Sequence, residues 1–81
     1  MTDEQIQREC LAVINEIWQA FKPRVVSVNQ SQAYWDDAME TFEGIVTKYA
    51  GTPVAALAKR LSVACVNALE DRYRELFWKE R

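Results

Sequence analysis

The sequence predicts an all-α fold, a small antiparallel three-helix bundle with a long C-terminal helix. Three observations carry that prediction. Apolar residues recur every three or four positions in three separate runs, the spacing of a helix face rather than the alternation of a strand. Only two glycines and two prolines stand in 81 residues, too few for a β-rich domain full of tight turns. The breaks between runs, Lys22-Pro23 and Gly51-Thr52-Pro53, carry helix punctuation.

The first helix is expected over residues 3–21. Thr2-Asp3-Glu4-Gln5 has the form of a capping box, in which Thr2 accepts from the Gln5 amide and Gln5 reaches back. Asp3 and Glu4 also suit the positive end of the helix dipole. Ile6, Cys10, Val13/Ile14, Ile17/Trp18 and Phe21 supply its apolar face. Pro23 ends it, because the residue before a proline is pushed out of the α region. The passage PRVVSVNQ, residues 23–30, holds Val25, Val26 and Val28, which favour extended backbone. With no second strand to pair with, it reads as a connection whose valines fold onto the core.

The second helix is expected over residues 31–50, capped by Asn29 or Ser31. Its face is Trp35, Ala38/Met39, Phe42, Ile45/Val46 and Tyr49, and Gly51 takes the left-handed position after its last turn. The short Gly51-Thr52-Pro53 link then makes the second and third helices antiparallel neighbours.

The third helix is expected over residues 53–80, with Thr52 as N-cap and Pro53 at the first helical position. Val54, Leu57/Ala58, Leu61, Cys65, Ala68/Leu69 and Leu76 form its core-facing stripe. Glu70/Arg74 and Glu75/Lys79 are spaced as favourable ion pairs. A second, offset stripe of Val63, Val66, Tyr73 and Phe77, with Trp78 at the tip, exceeds what a lone bundle needs. On these bounds the helix overhangs its neighbours, so self-association as a dimer through those five residues is expected.

Residues 1–81 are long enough for one domain and no more. A chain this short buries about 60–65% of its unfolded surface, so a dimer would also strengthen a modest core. The net charge is −2, which supplies no global pull toward nucleic acid or anionic membrane. The polar N-terminus is no signal peptide, and the strongly apolar run Leu61–Leu69 is far too short to span a bilayer. A cytoplasmic protein is expected, with Cys10 and Cys65 as small buried hydrophobes. There is no histidine, which removes the commonest general base and transition-metal ligand. No glycine-rich phosphate cradle is present either, so neither an enzyme nor a cofactor is expected.

Charge is unevenly placed. Residues 29–51 hold one basic and four acidic side chains, whereas residues 52–81 hold six basic and four acidic. Asp36, Glu40 and Glu43 stand at i, i+4 and i+7, with Asp37 beside them. Such a row is either a solvated helix face or a patch that docks on a basic protein surface, even one imitating a row of phosphates. Carboxylates at i, i+4 suit a hard cation. Helical carboxylate-bridged iron sites, however, also use Glu-x-x-His pairs, so no metal site is expected.

The run Leu57-Ala-Lys-Arg-Leu-Ser-Val-Ala-Cys-Val-Asn-Ala-Leu resembles the helix-turn-helix unit of DNA-binding proteins, where an L-A-x-x-L-G-V-S run ends one helix and opens the recognition helix. The resemblance implies nucleic-acid binding through Lys59, Arg60, Arg72 and Arg74. Ser62 stands where that turn has glycine, and Ala64 where it has a capping hydroxyl. A turn needs both a residue tolerant of positive φ and a fresh cap, and an unbroken helix needs neither. The leading expectation is therefore a non-enzymatic protein-interaction module, an inhibitor or regulator of the kind carried by phages and mobile elements. Its partner would dock on Asp36, Asp37, Glu40 and Glu43.

Overall fold

Three helices follow one another in the computed structural model, which describes residues 2–78: α1 (Asp3–Val25), α2 (Gln32–Lys48) and α3 (Ala55–Phe77). Each packs against the other two, and no strand occurs among the described residues. Contacts between helices give the directions. Arg24 meets Asp37 while Glu16 meets Lys48, so α1 and α2 run antiparallel. Trp35 near the start of α2 packs edge-on to Tyr73 near the end of α3, so those two are antiparallel as well.

α1 opens on the capping box: Thr2 Oγ1 accepts from the Gln5 amide at 3.1 Å, and Gln5 Oε1 accepts from the Thr2 amide at 2.8 Å. The helix does not stop before Pro23 but runs on to Val25. Proline removes one N–H from the ladder, and side chains supply other bonds around the last turn. Arg24 Nη1 donates to the Ala20 carbonyl at 2.6 Å, and Ser27 Oγ donates to the Pro23 carbonyl at 2.7 Å. The Tyr34 hydroxyl donates to the Arg24 carbonyl at 2.8 Å. Burial pushes the Tyr34 phenol up, against the pull of the nearby guanidinium.

Of the connecting valines, Val28 folds into the core and Val26 does not; Val26 is 82% exposed. Asn29 shapes the turn, its side chain accepting from the Ser31 amide and its carbonyl from Trp35 Nε1. Ser31 Oγ then caps α2 by accepting from the Tyr34 amide. At the far end Gly51 has φ +79°, a left-handed conformation that glycine adopts without cost.

α3 begins at Ala55 rather than Pro53. Thr52 spends its hydroxyl on the link, donating to the Tyr49 carbonyl at 2.6 Å and accepting from the Val54 amide at 3.3 Å. Val54, at the N-cap position, carries no side-chain cap and drops into the core. From Ala55 the helix continues without interruption past Ser62 to Phe77. α1 and α3 are 23 residues each, about 34 Å at 1.5 Å per residue, so α3 has no length to spare over α1. Lys79 and Arg81 lie outside the described residues.

The core is Val13, Ile17 and Ala20 from α1, Val28, Ala38, Phe42 and Ile45, then Val54, Ala58 and Leu69. Ala38 and Ala58, both almost fully buried, are small enough to let backbones close on one another. Four residues given to the apolar faces by their spacing lie at the surface instead: Ile14, Trp18, Met39 and Leu76. Cys10 and Cys65 are free and only half-buried, and burial pushes the Cys65 thiol up.

A polar clamp closes the bundle where the C-terminal end of α2 meets the middle of α1. Glu16 accepts from the Tyr49 hydroxyl at 2.8 Å and from Lys48 Nζ at 3.1 Å. The Tyr49 bond holds the Glu16 carboxyl below its ordinary 4.5; burial opposes that and Lys48 adds to it. The same contact raises Tyr49 and Lys48, whose bonded forms keep their protons. A carboxyl with a depressed folded pKa stabilises the fold fully above its unfolded value and loses that contribution as pH falls through the folded one. Glu16→Gln should therefore flatten the loss of stability on acidification below pH 4.5, measured by urea denaturation across pH. Parallel profiles for the two proteins would contradict the clamp.

Candidate functional site

The four carboxylates on α2 do not share one face. Asp37 turns toward α1, accepting from Arg24 Nη2 at 2.7 Å, and the same nitrogen donates to Thr41 Oγ1 at 3.0 Å. Asp36, Glu40 and Glu43 point outward and are exposed. Asp36 accepts from Gln32 Nε2 at 2.9 Å, and no described basic side chain forms an ion pair with any of the three. The row is thus three residues long.

Beside that row lies a groove of about 550 Å³ between α2 and α3. Phe42 and Ser62 form its floor, and Met39 and Val63, 42% and 52% exposed, form its lips. Glu43 stands on the α2 rim and Lys59 on the α3 rim. Periodicity accounts for the opening. Val63 and Val66 lie on the α2-facing edge of α3, while Ala58 and Leu69 point to the bundle centre. α2 covers that edge only in part.

The second α3 stripe is accordingly not a separate surface. Val66 and Tyr73 are half-buried against the core, and Val63, Phe77 and Trp78 are exposed. Tyr73 packs edge-on to Trp35 at 5.8 Å between ring centroids and lies 5.2 Å from Phe77; Trp35 in turn meets Tyr34 edge-on at 4.9 Å. This aromatic row joins the first turn of α2 to the last turns of α3.

The basic residues are dispersed. Lys59 and Arg60 sit in the first turns of α3, about 18 Å along the axis from Arg72. Arg72 donates to Glu75 and Arg74 to Asp71, each within its own helix. The pair Glu70/Arg74 expected from spacing thus gives way to the i, i+3 pair of Arg74 with Asp71, and the expected Glu75/Lys79 pair falls on a residue outside the described ones. Ser62, the position a helix-turn-helix would give to its turn, lies mid-helix and is 4% exposed. Among the described residues no group of three acidic or thiol side chains is placed to hold a metal ion. No described helix is long and apolar enough to cross a membrane.

Two features gave no usable sequence signal. Arg24 is the main polar bridge between α1 and α2, yet its position after a proline reads as loop. The exposed face Leu11, Ile14 and Trp18 on α1 has the same spacing as the buried set Val13, Ile17 and Ala20. No family model matches the chain, and no curated protein or solved structure matches it either.

The Ser62 hydroxyl is buried with no hydrogen-bond partner among the described residues. An unpaired buried hydroxyl costs stability, and alanine is the better helix former. Ser62→Ala should raise stability by about 1 kcal/mol, read from the denaturation midpoint. A loss of stability would mean that the hydroxyl has a partner after all.

Proposed function

We propose that the chain is a non-enzymatic protein-interaction module. It associates with itself through the uncovered α2–α3 face and presents Asp36, Glu40 and Glu43 to a second protein with a basic surface. The observation that carries this reading is the open apolar groove, whose lips Met39 and Val63 stay wet in the single chain. An apolar patch rimmed by charge is the usual mark of a protein contact. The carboxylate row runs along one side of the groove, so an apolar anchor and an electrostatic guide lie side by side.

Several features support the non-enzymatic part. The chain has no histidine, and the Ser62 hydroxyl on the groove floor has no hydrogen-bond partner among the described residues to activate it. The free cysteines fit a reducing cytoplasm. An inhibitor or regulator of the phage or mobile-element kind, imitating phosphates with its carboxylates, is the sharper form of the proposal and rests on analogy. Nucleic-acid binding finds less support, because Arg72 and Arg74 are already paired and lie far from Lys59 and Arg60.

Sedimentation equilibrium tests the self-association. The parent chain should sediment as a dimer at micromolar concentration, and Val63→Glu should sediment as a monomer with unchanged helicity by circular dichroism. A parent that stays monomeric at the highest attainable concentration contradicts the reading.

A further inference from the structure

The α3 edge of the groove has an order that fits a second copy of itself. Lys59, Val63, Val66 and Glu70 follow at steps of four, three and four, the spacing that keeps residues on one side of a helix. The midpoint between Lys59 and Glu70 is also the midpoint between Val63 and Val66, at the level of Ala64 and Cys65. Turned about a two-fold axis at that level, the edge meets its own complement: valine against valine at the centre, lysine against glutamate at both ends. The same rotation sets bulky Tyr73 level with the small, exposed Ala56.

Within one chain these end charges have no described ion-pair partner. Arg74, four residues after Glu70, is instead 3.1 Å from Asp71, and Lys59 stands on the groove rim. A second, smaller groove of about 460 Å³ shares Lys59, Val63 and Asn67 with the first, so the open strip widens across α3 toward Ala56 and Ala64. Asn67, beside Val66, is the uncharged polar residue that borders the centre of the edge.

We infer that the occupant of the α2–α3 groove is the α3 helix of a second copy, packed antiparallel about a two-fold axis beside Ala64, with Val63 against Val66 and Lys59 against Glu70, each pair formed twice. This inference rests on the self-association proposed above and adds its register and its partner atoms. An isologous contact of this kind closes at two chains and leaves no edge for a third. It also leaves Glu40 and the outer side of α2 open for a different protein.

Charge exchange tests it. Lys59 and Glu70 are eleven residues apart on one helix and cannot touch within a chain, so any rescue between them must come from across an interface. Lys59→Glu and Glu70→Lys should each weaken the dimer about tenfold, because each puts two like-charge pairs in place of two opposite ones. The double variant should return to within about threefold of the parent. Circular dichroism of all four proteins should be the same, since both positions are exposed. A double variant no tighter than either single one, or single variants without effect, would overturn the register while the parent dimer kept the broader reading alive. A parent that is monomeric would remove both. Species larger than a dimer, such as head-to-tail insertion of the α1 face Leu11, Ile14 and Trp18 into the groove would produce, would overturn the two-fold arrangement.

Discussion

α3 must serve two neighbours from one circumference, and the rest of the molecule follows from that constraint. Ala58 and Leu69, both fully buried, sit where α1 and α2 meet it. A helix has room on one side for a single central stripe and on each flank for a half-covered one. On the α1 flank Leu57, Leu61 and Cys65 are half-buried. On the other flank α2 offers 17 residues to a helix of 23, and the Val63–Val66 edge stays open beside it. The groove opens because α2, lying alongside, covers that flank only in part.

Two polar clamps keep α1 and α2 from sliding on one another. Arg24 ties the end of α1 to Asp37 and Thr41 on α2, and Glu16 ties the middle of α1 to Lys48 and Tyr49. The Arg24–Asp37 pair is asymmetric in exposure, 18% against 65% for the two side chains. Its worth therefore lies as much in the buried stem and the Ala20 carbonyl it covers as in the charge contact. Because Asp37 is held there, the outward face of α2 carries three carboxylates. Packing of α1 thus decides what α2 presents.

Much of this was legible from residue order. The Thr2 capping box, the Ser31 cap, the left-handed Gly51 and the continuity through Ser62 are local features, and local chemistry decided them. What order did not reveal depended on distant partners. Pro23 has the form of a stop, yet the Ser27 and Tyr34 hydroxyls donate to the Pro23 and Arg24 carbonyls and the helix runs past it. Thr52 has the look of a cap, but the Tyr49 carbonyl of the preceding turn claims its hydroxyl proton. On α1, Leu11, Ile14 and Trp18 are as helical in spacing as the set that is buried, and only the placement of α2 and α3 chooses between them. The candidate interaction face was half legible: the second stripe was visible in sequence, but its role as one lip of a groove needed Met39 and Glu43 opposite.

The proposed interface needs α3 to be one rod, since a break at Ser62 would separate Lys59 from Val66 and dissolve the edge. Amide hydrogen exchange followed by NMR reads that continuity residue by residue. Amides from Val63 to Asn67 should be protected as strongly as those flanking Ala58 and Leu69. Rapid exchange confined to Ser62, Val63 and Ala64, between two protected stretches, would contradict it and restore the turn.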